Sequence, residues 1–196
     1  MELILVRHGE TIWNREGRVQ GFSDMDLSDA GVKQAQQLAL SLKDAPILSI
    51  YTSPLIRAQK TARIINEHHH APVYIERGLM EMNQGDFEGL TFQELMACEK
   101  DFLKKWTSDP ASVQMPNGES FIEVQDRAWK VIEGIFGKSG NALVVSHNFT
   151  IAAILCKIKN ISLSQFKQVC VDTASRTIVR YEKGAAHIEL FNISSR

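Results

Sequence analysis

Four short apolar segments along the chain predict the strands of a sheet. They cover residues 2–6, 47–53, 72–76 and 141–148. The first and the fourth are continuously apolar until they reach chemically reactive residues, a pattern typical of strands that are buried on both faces. Residues 176–193 instead alternate between apolar and polar positions on either side of Lys183-Gly184, which predicts an antiparallel hairpin.

Apolar residues at helical spacing lie between these segments. The first set follows Ser28, a candidate N-cap, and comprises Val32, Ala35, Leu38, Ala39 and Leu42. The next helix is predicted to begin directly after the second strand, with Ser53 at the N-cap and Pro54 at the first helical position. Further helices are predicted at about 91–105, 119–136 and 149–158, and the longest irregular loop at 107–118.

The order of these segments predicts an α/β fold. Because strands and helices alternate, we expect a three-layer sandwich: a mostly parallel central sheet with helices on both faces and a C-terminal antiparallel hairpin. The 196 residues, 44% of them hydrophobic, suit one domain spanning residues 1–196 with a substantial core. No repeat or linker-like stretch divides the chain.

Charge and cysteine content narrow the partners and the compartment. The formal net charge is -1, with both signs mixed throughout, which argues against nucleic acid or a membrane surface as a partner. Cys98, Cys156 and Cys170 lack a CxxC spacing and are expected to be reduced. No apolar run approaches the ~20 residues of a membrane helix, and "MELILV" is too short for the apolar part of a signal peptide. We therefore expect a cytoplasmic protein.

Three chemically reactive stretches follow predicted strands. Arg7-His8-Gly9 ends the first strand, Ser53 to Arg57 follow the second, and Ser146-His147 end the fourth. Ligands of open parallel sheets bind beyond the carboxyl ends of the strands. We therefore expect these stretches to converge.

The converging residue types indicate phosphate chemistry. The guanidiniums of Arg7 and Arg57 can pair bidentately with phosphate oxygens. A neutral imidazole such as that of His8 can attack phosphorus when a hydrogen bond holds its other ring nitrogen. Gly9 would let the backbone approach the phosphate, and the helix behind Pro54 would point its positive N-terminal end toward it.

Phosphoryl transfer also requires a proton donor for the leaving oxygen. The segment "EMNQGDFEG", residues 81–89, offers Glu81, Asp86 and Glu88. A neighbouring phosphate favours the protonated form of a carboxyl by repulsion between like charges. Glu81, which follows the apolar pair Leu79-Met80, is the best placed of the three.

No motif indicates a metal ion or an organic cofactor. Walker A, GxGxxG and HExxH motifs are missing, as is a Cys/His set at zinc spacing. The histidines at 68–70 are consecutive and would point in different directions on a helix, so they are interpreted as a solvated helix end. We therefore predict neither a metal nor a cofactor.

The chain resembles the histidine phosphatase superfamily, the phosphoglycerate mutase-like proteins. The matching blocks occur in order and span nearly the whole chain: "LVRHGET", "WN", "VQGFSDMDLSDAG", "TSPLIRAQKTA", "LMEMNQGDFEGL", "PNGES" and "VVSH". The resemblance implies that His8 carries the phosphoryl group and that Glu81 is the acid and later the base. It implies that Arg7, Arg57 and His147 complete the phosphate pocket. It also implies that Asn14 contacts the phosphate or transferred group, and that Gln20 and Gly21 belong to the nearby loop on the substrate side.

Departures from the mutases favour a phosphatase. The lid region, residues 90–118, is short, and Asn83 and Gln84 stand where a mutase-like tyrosine is expected. A short lid admits water, and attack by water makes a phosphatase. The "EMNQGDFEG" loop is similar to that of bacterial broad-specificity and α-ribazole phosphatases. The expected substrate is a small phosphate ester, and the expected product is phosphate.

Two alternatives stay open. One is a cofactor-dependent phosphoglycerate mutase, and the other is a non-enzymatic protein that binds phosphorylated ligands. The presence of every expected site residue argues against the second. Candidates for lining the outer pocket are Phe22, Met82, Lys104, Lys105 and Trp106. An exposed edge of the C-terminal hairpin would allow a homodimer.

Overall fold

The computed structural model describes residues 1–194, and in this part of the chain six strands form one sheet. They are β1 (Glu2–Arg7), β2 (Ile47–Thr52), β3 (Val73–Ile75), β4 (Asn141–Ser146), β5 (Ser175–Glu182) and β6 (Ala185–Ser194). Their spatial order is β3-β2-β4-β1-β5-β6. Neighbouring strands among β1 to β4 are parallel to each other. By contrast, β5 is antiparallel to β1, and β6 is antiparallel to β5. The predicted mostly parallel sheet with a C-terminal hairpin is confirmed.

Helices connect and cover the strands. The α-helices are α1 (Ile12–Glu16), α2 (Asp29–Leu42), α3 (Ile56–Asn66), α4 (Phe92–Cys98), α5 (Lys100–Ser108), α6 (Phe121–Phe136) and α7 (Asn148–Lys159). Short 3-10 helices lie at Arg77–Leu79, Gly85–Phe87, Pro110–Ser112 and Leu163–Val169. As predicted, Ser28 is the N-cap of α2, and its hydroxyl accepts a hydrogen bond from the Gly31 amide at 3.0 Å.

The sheet has a hydrophobic core on each face. Along β1, Leu3 and Leu5 pack into a cluster with residues of α6 and α7, whereas Ile4 and Val6 pack into a cluster with residues of α2 and α3. This division follows from strand geometry, because successive side chains point to opposite faces. A strand with both sets buried must lie between two helical layers, so the three-layer sandwich is confirmed.

The hairpin turn is built as its sequence predicts. Lys183 and Gly184 have φ angles of 52° and 83°, which are the left-handed conformations of a two-residue type I′ turn. The opposite sheet edge is β3, whose Val73, Tyr74 and Ile75 side chains are exposed. The homodimer remains a prediction. Within residues 1–194, no helix is long and apolar enough to cross a membrane.

The predicted start of the third helix is wrong. The pattern predicts the N-cap at Ser53 and the first turn at Pro54, but α3 begins at Ile56 with Leu55 as its N-cap. The Ser53 hydroxyl accepts a hydrogen bond from the Leu55 amide at 3.2 Å, which closes a turn before the helix, and it also lies 2.8 Å from Nε2 of His147. The side chain that the pattern assigns to the helix end therefore serves the preceding turn and a tertiary contact.

The lid region also differs from its prediction. The single helix expected at 91–105 is two helices, α4 and α5, separated at Glu99, whose φ of −124° and ψ of 38° are not helical. α5 continues to Ser108 and a 3-10 helix follows at Pro110–Ser112, so the loop predicted at 107–118 is shorter than expected. The pair α4–α5 lies beside the carboxyl end of the sheet and covers the cavity described below.

Candidate active site

Neighbouring strands bring two histidines together. β1 and β4 are parallel with Arg7 opposite Ser146, so the residues that follow, His8 and His147, leave the sheet side by side. Their ring centroids are 5.0 Å apart. The expected convergence of these strand ends is therefore observed.

A cavity of about 350 Å³ opens at this end of the sheet. Seven of the predicted site residues line it: Arg7, His8, Asn14, Gln20, Gly21, Arg57 and Glu81. His147 is fully buried beside His8 and contacts it through the ring. The structure thus brings together every predicted site residue.

The surroundings of His8 fix the position of its proton and its charge. Its Nδ1 lies 2.7 Å from the Gly9 carbonyl oxygen, which can only accept a hydrogen bond, so the proton sits on Nδ1 and Nε2 keeps its lone pair. Burial, together with the nearby charges of Arg57 and Arg7, holds the pKa of His8 well below its usual range. The imidazole is therefore neutral near pH 7.

Backbone carbonyls fix the two arginines. Arg7 donates from Nη1 to the Val171 carbonyl at 2.6 Å. Arg57, a fully buried side chain, donates to the carbonyls of Gly21 and Ser23, both at 2.8 Å. The Nε groups of both arginines are buried and have no hydrogen-bond partner among the described residues. Such donors suit an oxyanion, because an unpaired buried N–H is costly.

His147 is oriented by Ser53. The Ser53 hydroxyl lies 2.8 Å from Nε2 of His147, and Nδ1 is buried without a partner in residues 1–194. Burial, followed by the charges of Arg57 and neighbouring groups, holds the pKa of His147 well below its usual range. A neutral ring that accepts from Ser53 at Nε2 carries its proton on Nδ1 and can donate it to a bound anion. Arg7, Arg57 and His147 are called the phosphate clamp below.

Glu81 lines the same cavity and lies next to the N-terminal end of α7. Its carboxylate lies 3.4 Å from the Phe149 amide, 3.3 Å from the Thr150 amide and 3.0 Å from its neighbouring Met82 amide. These amides hold the carboxylate in one orientation. Glu81 is only 9% exposed. It is therefore accessible only from the cavity that it lines.

The other two acid candidates have structural positions. Asp86 lies at the surface and accepts from Asn117 at 2.9 Å. Glu88 accepts from the amides of Phe22 and Ser23, both at 2.7 Å, and so fixes the loop that precedes α2. Of the three carboxylates, Glu81 alone lines the cavity.

Gly21 is required for this loop to close over Glu88. Its φ is 53°, a left-handed conformation, and a Cβ at this position would lie 2.0 Å from Oε1 of Glu88. Only glycine combines that backbone conformation with that contact. The loop in turn supplies the carbonyls that hold Arg57.

Thr11 orients the two amide side chains of the site. Its hydroxyl lies 3.1 Å from Oδ1 of Asn14 and 3.0 Å from Oε1 of Gln20. Because both oxygens face Thr11, the NH₂ groups of Asn14 and Gln20 are the ends that face away from it. Those groups are donors and match an anionic ligand.

Two expected backbone contributions differ in the structure. The first-turn amide of Ile56 in α3 donates to the Asp24 carboxylate at 2.7 Å, so this helix end is neutralised by a residue of the protein. A Cβ on Gly9 would lie 2.4 Å from the Gly31 carbonyl oxygen, so its close approach is to α2. The positive helix end nearest the site belongs to α7 and contacts Glu81.

The outer part of the cavity matches the expected lining only in part. Trp106 lines it as predicted, but Phe22, Met82, Lys104 and Lys105 do not. Met82 is fully buried in the core, and the two lysines are exposed. The remaining lining is mainly apolar. It comes mostly from α4, α5 and α7 and also includes Val19, Phe87 and Met115.

Sequence reasoning gave no role to Arg127. This α6 residue donates to the backbone carbonyls of Gly78, Met80 and Glu81, each at 2.8 Å. It also pairs with Glu119, at 2.8 and 2.9 Å. Glu119 lies within the "PNGES" block, which was the one signal in the sequence for this contact.

Comparison with known proteins agrees with this geometry. The model of the histidine phosphatase superfamily (branch 1) matches residues 3–194. The chain belongs to this superfamily. Within residues 1–194, no group of three or more His, Cys, Asp or Glu side chains is placed to hold a metal ion.

Several histidine phosphatase relatives and structures are similar over nearly their whole length. Phosphoserine phosphatase 1 of Hydrogenobacter thermophilus is 34% identical over 99% of this chain and 93% of its own. The structure of YhfR from Bacillus stearothermophilus has 30% identity and a TM-score of 0.91, covering 96% of this chain and 95% of its own. The α-ribazole phosphatase of Shigella flexneri has 28% identity and a TM-score of 0.90, covering 98% and 96%. The family and these phosphatase relatives support phosphatase activity in this chain.

Proposed function

We propose that the protein is a metal-independent phosphomonoesterase that hydrolyses small phosphate esters through a phosphohistidine at His8. The observation that carries the proposal is the arrangement of His8: its Nδ1 is hydrogen-bonded to the Gly9 carbonyl oxygen, and the residue lines a cavity shared with Arg7, Arg57 and Glu81. Three buried groups without a partner among the described residues are available to the transferred group: the Nε–H groups of the two positively charged arginines and Nδ1 of the neutral His147 imidazole.

In the first step, Nε2 of His8 attacks phosphorus and the P–O bond to the alcohol breaks. The leaving oxygen takes the proton of the Glu81 carboxyl, and the free alcohol departs. The guanidiniums of Arg7 and Arg57 hold the phosphoryl oxygens and offset the charge that spreads over them in the transition state. His147 donates from Nδ1 to the same group.

In the second step, water replaces the alcohol. The Glu81 carboxylate takes one proton from water while the water oxygen attacks phosphorus, and the P–N bond to His8 breaks. Inorganic phosphate leaves, and Glu81 is protonated again for the next cycle. One residue serves as acid and then as base because the two steps reverse each other's proton movements.

The test is turnover combined with trapping of the intermediate. Wild-type protein should release phosphate from p-nitrophenyl phosphate with and without EDTA, and His8→Ala should reduce the rate to background. His68→Ala, a change at an exposed histidine, is the matched control and should turn over like wild type. Rapid acid-free quenching with a ³²P-labelled ester should leave label on His8 that is stable to base and labile to acid. Turnover that survives His8→Ala, or that requires a divalent ion, contradicts the proposal.

The same preparation distinguishes the two alternatives. Interconversion of 2- and 3-phosphoglycerate that is much faster than phosphate release, in the presence of 2,3-bisphosphoglycerate, would make the protein a mutase. Saturable binding of phosphate esters with neither turnover nor label on His8 would make it a non-enzymatic binding protein. Hydrolysis that outpaces mutase turnover supports the phosphatase.

A further inference from the structure

A large part of the active-site cavity has an apolar lining. Its members come from α4, α5, α7 and the loops beside them, and they form what is called the apolar wall: Phe87, Phe92, Leu95, Phe102, Leu103, Trp106, Met115 and Phe149. Half of these side chains are phenylalanines. A substrate whose phosphate sits at His8 would place its alcohol portion against this wall.

Aromatic contacts make the wall rigid. Phe102 packs edge-on against Phe87 with ring centroids 4.8 Å apart. Trp106 packs against Phe121 and Phe149 at 6.1 and 5.9 Å. Side chains that are locked by their neighbours lose little entropy when a ligand binds, so the wall is preorganised for an apolar group.

Near the wall, a charged alcohol portion has no free ionic partner. Among the described residues that line the cavity, Arg18 is the one cation outside the phosphate clamp. Its guanidinium already donates from Nε to the Glu16 carboxylate at 2.7 Å and from Nη1 to the Gly89 carbonyl at 2.8 Å. Gln84 also lines the cavity, and its Nε2 is buried without a partner among the described residues, but this amide is neutral. Glu81 is the one lining carboxylate, and it is the proposed proton donor to the leaving oxygen. A carboxylate or ammonium on the substrate would therefore lose water without gaining an ion pair to replace it.

We propose that this enzyme prefers phosphate monoesters of apolar alcohols over esters whose alcohol portion is charged. The inference rests on the proposed phosphatase function and specifies its substrate class. Phe92 of α4 is the wall residue best suited to test it. Its side chain lines the cavity and yet is 62% exposed, so its removal leaves no core void.

The experiment compares esters of primary alcohols with similar chemical reactivity: n-hexyl phosphate, ethyl phosphate and O-phospho-L-serine. Each buried methylene is worth about 0.8 kcal/mol, or roughly fourfold. Four extra methylenes, partly buried, should raise kcat/KM for the hexyl ester about 10- to 100-fold above the ethyl ester. O-phospho-L-serine should fall below the hexyl ester by at least ~100-fold, because its two charges are desolvated as well.

Variants then assign the preference to the wall. Phe92→Ala should lower the hexyl-to-ethyl ratio of kcat/KM about fivefold. Met96→Ala is the matched control, because Met96 lies on the same helix, is 44% exposed and does not line this cavity. The ratio should be unchanged in that variant. Thermal unfolding followed by circular dichroism establishes that both variants are folded.

The outcomes separate this inference from the proposed function. Hydrolysis of all three esters with O-phospho-L-serine equal to or above n-hexyl phosphate overturns the substrate preference and leaves the phosphatase intact. An unchanged ratio in Phe92→Ala also overturns it. Failure to hydrolyse any of these esters or p-nitrophenyl phosphate overturns the phosphatase and the preference together.

Discussion

Arg127 and Glu81 are joined through the backbone: Nη2 of Arg127 donates to the Glu81 carbonyl oxygen at 2.8 Å. The same guanidinium holds two carbonyls just before Glu81 and is itself oriented by Glu119. Glu119 also accepts from the Asn83 amide at 2.8 Å. The Arg127–Glu119 ion pair thus fixes the chain on both sides of Glu81. We infer that Arg127 is a positioning residue for the proposed acid.

Arg127→Met should lower both stability and catalysis. It leaves three carbonyls and one half-buried carboxylate without their donor, and removal of one member of such a pair costs on the order of 2 to 4 kcal/mol. Urea unfolding measures this loss. Lys60→Met is the control, since it breaks the exposed Lys60–Asp26 pair and should cost at most ~1 kcal/mol.

A positioning role for Arg127 has a second signature. If the loop shifts, the proton donor of the first step is misplaced. The value of kcat/KM, which reports that step, should therefore fall further for n-hexyl phosphate than for p-nitrophenyl phosphate, whose leaving group needs little protonation. A merely structural role would lower both rates by the same factor. Equal losses at a temperature where the variant is fully folded would contradict the positioning role.

Glu81→Gln should separate the two chemical steps. Glutamine cannot donate a proton to an alkoxide, so kcat for an alkyl phosphate should fall about 10²- to 10⁴-fold. With p-nitrophenyl phosphate the first step still proceeds, but no base activates water in the second. Stopped-flow absorbance should therefore show a burst of about one p-nitrophenol per enzyme followed by slow turnover. A variant that turns over p-nitrophenyl phosphate without a burst and at the wild-type rate would exclude Glu81 as the base, and an unchanged kcat for the alkyl phosphate would exclude it as the acid.

The sequence predicted the strand-end part of the site because two independent patterns coincide there. Apolar runs place Arg7-His8 and Ser146-His147 at strand ends, and sheet topology brings the carboxyl ends of parallel strands together. Side-chain chemistry and backbone position are both visible in the amino-acid order in such cases. The convergence of His8 and His147 therefore required no knowledge of side-chain packing.

Contacts to backbone carbonyls could not be predicted in the same way. Arg127 and Arg57 are fixed largely by carbonyl oxygens, and every residue carries a carbonyl, so no residue type marks the partner. The sequence did not predict the apolar wall for a related reason. Phe92 and Leu95 belong to a helical pattern of apolar residues. In the sequence, an apolar helix face that lines a cavity has the same pattern as one that packs into a core.

Acid should destabilise the protein through its two buried histidines. Burial, followed by nearby arginine charge, holds the pKa of His8 and of His147 well below the usual range in the folded state. In the unfolded chain each titrates near ~6.5. As pH falls through that value, the unfolded chain binds protons that the folded protein excludes, so the free energy of unfolding decreases. The stabilisation is fully present above pH ~6.5 and is lost toward the lower, folded-state pKa.

The measurement is urea unfolding between pH 5 and 8. Below pH 6.5, the two histidines together should make the free energy of unfolding fall by up to about 2.7 kcal/mol per pH unit, about 1.4 kcal/mol for each. His8→Asn removes one titrating group and should reduce the slope by about half that amount. A wild-type stability that is flat or rises as the pH falls from 7 to 5.5 would contradict the assignment of neutral buried imidazoles.

The contact between Ser53 and His147 has a testable chemical role. Ser53→Ala removes the group that faces Nε2 of His147, so the proton is no longer confined to Nδ1 and the ring loses its orientation within the phosphate clamp. We expect kcat/KM to fall about 10-fold or more, with vanadate inhibition weakened by a similar factor because the same donor serves the bound anion. Ser53→Thr keeps the hydroxyl and should retain most of the activity, whereas Ser41→Ala is a surface control that should leave both measurements unchanged. Equal loss in the Ala and Thr variants would mean that packing at this buried position, rather than the hydrogen bond to His147, sets the activity.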